Sequence, residues 1–142
     1  AINRTLGAGS GLVAIVLGMI ITVAVQSSSI TTSVLVPLAA AGVLSLENVY
    51  PVTLGANVGT TVTALLASLA TGSPAAVTVA LVHTLFNLTG IALFYPVRSL
   101  RALPIRLATG LARISAERRT WAVTYVLAMF LVIPLLGVMI LR

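Results

Sequence analysis

Gln26, Ser27, Ser28, Ser29, Thr31, Thr32 and Ser33 place seven hydrogen-bonding side chains in eight consecutive positions, between two aliphatic runs. The block has no charge. A second polar set, Gly55-Ala56-Asn57-Val58-Gly59-Thr60-Thr61-Val62-Thr63, interrupts a later apolar run. A third, His83 with Asn87, has i, i+4 spacing, which puts both on one helix face and suggests a hydrogen-bonded buried pair. Neutral oxygens can hold a bare cation weakly enough to release it. Hydroxyls and the free N–H groups at a helix start can donate to an oxyanion. Bond-breaking chemistry is poorly supplied: Glu47 and Glu117 are the only acids, and His83 is the only base for a serine nucleophile. With no cysteine and one histidine, the usual thiolate and zinc sites are excluded. An enzyme is not expected, nor a cofactor.

The elements that must position these groups belong to a bilayer. Only 7% of the 142 residues are charged, against about 25% in a soluble domain. Between positions 5 and 97 the sole formal charge is Glu47. Residues 11–42 are uncharged; as one helix they would run about 48 Å, half again the apolar slab of about 30 Å. Two half-length helices folded back at the polar block fit better, and irregular backbone is tolerated at that depth when buried in protein or lining a watery cavity. The expected fold is all-α integral membrane: a re-entrant hairpin over 11–42, then a loop to Tyr50. A span over 51–70 follows, with Pro51 in its first turn and a break at 55–63. A tight link at 71–74 leads to a span over 75–96.

Six of the eight arginines fall between positions 98 and 119, where Leu100, Leu103, Leu107, Leu111 and Ile114 recur every three or four residues. Such a basic segment could suggest nucleic acid. Flanked by apolar spans, it fits an amphipathic interfacial helix over 97–119 among anionic lipid headgroups, with no nucleic-acid partner. Trp121 and Tyr125 mark re-entry into a last span over 121–141, bent at Pro134. This topology places the amino terminus and the basic segment in the cytoplasm and the 71–74 link outside. Residues 1–10 read as a flexible lead-in carrying Arg4, and no signal-peptide pattern is found.

The strings AVQSSSITTSVLVPL, YPVTLGANVGTTVTALLASLA and ALVHTLFNLTGIALFYPV, followed by the arginine-rich segment and a Trp-initiated span, resemble the type II sodium/phosphate cotransporters. The order and spacing of the motifs carry the resemblance over roughly residues 11–141. It implies one unit of a two-repeat inverted architecture, closer to the second, carboxy-terminal repeat. By that resemblance Gln26, Ser27, Ser28, Ser29, Thr60 and Thr63 contact phosphate. Gln26, Ser29, Asn57 and Thr60 contact sodium, the coupling ion, with His83 and Asn87 in support. Ala56 stands where many animal members carry serine, which removes one hydroxyl.

The expected function is sodium-driven uptake of inorganic phosphate by alternating access, in a multi-pass protein of the plasma (cell inner) membrane. The other inverted repeat or a second copy is the expected partner. Two alternatives use the same residues. One is transport of another oxyanion. The other is a non-transporting module that dimerises or docks to a partner through Gly55, Gly59 and the basic helix.

Overall fold

The computed structural model describes residues 11–141, and every regular element among them is helical. The lead-in at 1–10 and Arg142 lie outside the described residues. The chain forms two compact units that divide after Arg101.

The first unit opens with α1 (Gly11–Val25) and α2 (Ser28–Ala40), of 15 and 13 residues. At 1.5 Å per residue they are about 22 and 20 Å long, each too short to cross an apolar slab of about 30 Å. The chain turns at Gln26, whose φ is +56°. A hydrogen bond from Thr22 to Thr31 ties the arms together on either side of that turn.

α3 (Leu46–Thr71) runs 26 residues without interruption, so the expected break at 55–63 is absent. Two physical causes keep it helical. Gly18, Gly55 and Gly59 let the α1 and α3 backbones meet: an added Cβ at Gly18 would strike the Val52 backbone, and one at Gly55 the Ile15 backbone. Small residues that admit such approach are the usual packing device of membrane helices. Meanwhile Thr60, Thr61 and Thr63 satisfy their hydroxyls on carbonyls three or four residues back, which needs no unwinding. The helix also begins earlier than expected, because the N–H groups of Asn48 and Val49 both donate to the Ser45 carbonyl at 3.0 Å. Pro51 therefore sits inside the helix and not at its start.

The link to α4 (Pro74–Phe94) follows from its residues. Gly72 takes the left-handed conformation that ends α3, with φ 63°. Ser73 then caps α4 by accepting from Ala76 N, and Pro74 occupies the first turn, where a missing N–H costs nothing. Inside the unit a small cluster of Ala14, Leu35, Leu44 and Val52 is packed by Leu38 and Val49. Outside it the aliphatic side chains point away. Along α4 only Ala80 is buried and Phe86 is 75% exposed.

α5 (Arg98–Glu117) carries the basic segment. In the second unit α6 (Arg119–Leu127), a π turn (Ala128–Val132) and α7 (Ile133–Ile140) follow one another. Pro134, where a bend is expected, lies two residues beyond that π turn. Ile133 N–H donates to Ala128 O, five residues back, immediately ahead of the proline that cannot donate. Three helical stretches are long and apolar enough to cross a membrane: Leu46–Thr71, Pro74–Phe94 and Arg119–Ile140. The chain is a membrane protein.

Candidate functional site

Gln26 is the only non-glycine residue at positive φ among the described residues. For an L-residue the left-handed region costs roughly 1–2 kcal/mol, and such strain is kept where the surroundings or the function require that side chain. Next to it Ser27 is extended and caps α2. Its Oγ accepts from Ile30 N at 3.3 Å, and its carbonyl accepts from Thr31 N at 3.2 Å and Thr31 Oγ1 at 3.1 Å. Thr31 Oγ1 in turn accepts from Thr22 Oγ1 at 2.9 Å. The two threonines are 4% and 0% exposed, so this hydroxyl chain clamps the turn from its buried side. Thr22 escaped the sequence reading. Its signal was a single hydroxyl in an aliphatic run, one turn before Gln26.

Ser28 and Ser29 form the first turn of α2, where backbone N–H groups have no intrahelical acceptor. Ser29 is exposed and Ser28 half-buried, so hydroxyls and amides are presented at a positive helix end.

On α3 the hydroxyls work the other way. Thr60 Oγ1 donates to Ala56 O at 3.1 Å, and Thr63 Oγ1 to Thr60 O at 2.8 Å. A hydroxyl has one hydrogen, so both oxygens are left with acceptor lone pairs. Gln26, Thr60 and Thr63 line one open cleft of about 440 Å³ with Ala64, Leu66 and Ala67. The structure thus brings together three expected site residues from two elements far apart in sequence. Ser27, Ser28 and Ser29 lie outside that cleft's lining, at the head of α2.

Asn57 is also outside it. With Tyr50 and Asn87 it lines a separate pocket of about 210 Å³, and the Asn87 amide donates to Asn57 O at 3.2 Å. The buried His83–Asn87 pair expected from spacing is therefore corrected. His83 is exposed, and Asn87 reaches across to the α3 backbone. Ala56 is fully buried, where an added hydroxyl would point into packing and not into the cleft.

This arrangement separates two chemistries. Oxygen acceptors on Gln26, Thr60 and Thr63 suit a cation; N–H and O–H donors at Ser28 and Ser29 suit an anion. No arginine or lysine occurs from residue 11 to 97, so an anion entering here meets no fixed positive side chain from these elements.

The profile of the Na+/Pi-cotransporter family matches residues 4–108, which spans the hairpin, α3 and α4. The chain belongs to this family. Among curated Na+/Pi-cotransporter relatives it is 50% identical over 129 residues to sodium-dependent phosphate transport protein 2B of Bos taurus, covering 89% of this chain and 18% of that protein. It is 48% identical to protein 2A of Ovis aries, covering 88% of this chain and 20% of the relative. With protein 2C of Mus musculus it shares 50% identity, over 89% of this chain and 21% of the relative. The chain therefore spans about a fifth of the length of these Na+/Pi-cotransporter relatives. No solved structure matches it.

Proposed function

We propose that this chain forms one repeat unit of a transporter that couples sodium influx to uptake of inorganic phosphate. One observation carries the reading: a single cleft is lined by Gln26, Thr60 and Thr63, next to the donor-rich start of α2. Relatives named as sodium-dependent phosphate transport proteins support the choice of ions. Gln26, Thr60 and Thr63 hold sodium, while Ser28 and Ser29 meet phosphate, with Ser27 and the Thr22–Thr31 pair fixing the turn. Asn57 contributes from the neighbouring pocket, held there by Asn87.

Sodium dependence follows from the charge pattern. Bringing a divalent anion into a low-dielectric site without a basic side chain is costly. Sodium ions bound nearby offset that cost, so each ion raises the affinity for the other. In this reading the α1–α2 hairpin is re-entrant and its tip lies near the midplane of a plasma membrane. The chain is the second of two inverted repeats, and the other repeat or a second copy completes the site across from it. Alternating access then moves one half against the other, with α5 on the cytoplasmic face.

The docking-module alternative loses its main support, since Gly55 and Gly59 are occupied in the contact with α1. The test is uptake of labelled phosphate by the full-length native protein in liposomes, with and without an inward sodium gradient, beside a Gln26→Ala, Ser28→Ala variant. Gradient-driven uptake that the variant loses is the expected result. No gradient-driven uptake from folded, inserted protein would sink the proposal, and equal inhibition by sulfate and arsenate would shift it to a general oxyanion carrier.

A further inference from the structure

α5 has no role in the cleft, and none of its residues is buried. At about 100° per residue, Leu100, Leu103, Leu107, Leu111 and Ile114 fall within an arc of about 80°. Arg98, Arg101, Arg106 and Arg113 all lie on the opposite half of the helix, and Glu117 is the only acid within it. The apolar arc is open: Leu107 is 65% exposed, Leu103 and Ile114 50%. Arg101 is steadied at the helix start, 5.1 Å from the centre of the Tyr95 ring. Two further arginines follow, Arg118 in an extended residue that ends α5 and Arg119 at the start of α6.

The neighbours of α5 in the chain decide what it meets. The candidate span Pro74–Phe94 ends just before it, and the candidate span Arg119–Ile140 begins just after it. Twenty residues make a helix of about 30 Å, long enough to cross. Four arginines within it forbid that path, because each charge at the bilayer centre costs several kcal/mol. A helix tethered to spans at both ends, apolar on one side and cationic on the other, lies along the bilayer surface. Trp121, two residues into α6, is the kind of side chain that settles at headgroup depth.

We infer that α5 is a lipid-binding surface that selects anionic phospholipid, its leucine arc seated among acyl chains and Arg98, Arg101, Arg106 and Arg113 paired with phosphate headgroups. Neutral lipid would seat the leucines equally well but leave these guanidiniums without counter-charges. Selection therefore comes from the arginines and depth from the leucines. This surface stands apart from the transport reading and survives its failure.

A tryptophan reporter placed in the leucine arc makes the inference testable. In the full-length native protein, with Trp121 and every tryptophan outside this chain replaced by phenylalanine, Leu107→Trp puts the sole reporter in the middle of the leucine arc. The variant is placed in phosphatidylcholine vesicles holding a fixed fraction of acyl-brominated phosphatidylglycerol or, separately, acyl-brominated phosphatidylcholine. The brominated anionic lipid should quench the tryptophan about threefold more effectively, with little quenching by aqueous acrylamide. Raising salt to 1 M, where the Debye length shrinks to about 3 Å, should erase the preference without any further substitution. Replacing the four α5 arginines by glutamine should erase it as well, with helix content by circular dichroism unchanged. Equal quenching by the two lipids would overturn the inference. So would a preference that survives the glutamine variant, strong acrylamide quenching, or a tryptophan that neither quencher reaches.

Discussion

Gln26 combines a strained backbone with a place in the cleft lining, and the two can be separated. A Gln26→Gly variant relieves the left-handed φ and should stabilise the fold by about 1 kcal/mol. It also removes the carboxamide, so uptake by the full-length protein should fall to background. Gln26→Ala keeps the strain and should lose uptake as well. Chemical unfolding in detergent beside liposome uptake checks both, and a glycine variant that transports normally would remove Gln26 from the site. Thr60 gives a second test at this scale. Thr60→Val deletes a cleft oxygen while leaving similar bulk, and the apparent sodium affinity should weaken roughly tenfold. Thr60→Ser keeps the oxygen and should stay near the parent value. If phosphate affinity drops first and sodium dependence holds, the acceptor role assigned to Thr60 fails.

Among the elements, the α1–α3 contact decides whether the hairpin stands at all. A Cβ at Gly59 would come within 2.6 Å of Thr22 Cβ, so Gly59→Val must push the helices apart. A cost of about 2 kcal/mol in unfolding free energy is expected, with uptake reduced through loss of folded protein. Thr22→Val is milder. It keeps the shape and removes the one hydrogen bond to Thr31, for about 1 kcal/mol. Unfolding that matches the parent in the Gly59 variant would mean the helices do not meet there. These contacts also explain what the sequence could and could not reveal. The turn at 26–27, the link at 72–74 and the helix starts beside them were legible because Ser27, Ser73, Pro74 and Gly72 carry their local meaning in their residue types. The glycines of α3 were ambiguous, since glycine frees a backbone and also admits a neighbour. Only the position of α1 decides for the second meaning. Likewise, i, i+4 spacing placed His83 and Asn87 on one face but could not say that Asn87 would find Asn57 O, thirty residues away. The family resemblance grouped Gln26 with Ser27, Ser28, Ser29, Thr60 and Thr63, and only the structure puts Gln26, Thr60 and Thr63 in one cleft with the serines and Asn57 outside it.

At the scale of the whole chain, the cleft and the start of α2 set oxygen acceptors beside N–H and O–H donors, with no arginine or lysine from residue 11 to 97. From residue 11 to 97 the only formal charge is Glu47, on the exposed first turn of α3. If phosphate binds there as proposed, its compensation must arrive with it, and linkage makes that quantitative. If saturating sodium tightens phosphate binding by some factor, saturating phosphate must tighten sodium binding by the same factor. A coupling on the order of tenfold or more is expected for the full-length protein, measured by equilibrium binding of each ion with and without the other. A fixed charge should break this dependence. Thr63→Lys places an ammonium on the wall of the cleft, so phosphate should bind without sodium and the factor should fall toward one. Gradient-driven uptake should stop at the same time, because a site already compensated no longer needs the ion that drives it. A lysine variant that folds, yet retains the parent's coupling factor, would show that the compensation comes from elsewhere in the molecule and that the cleft is not where the two ions meet.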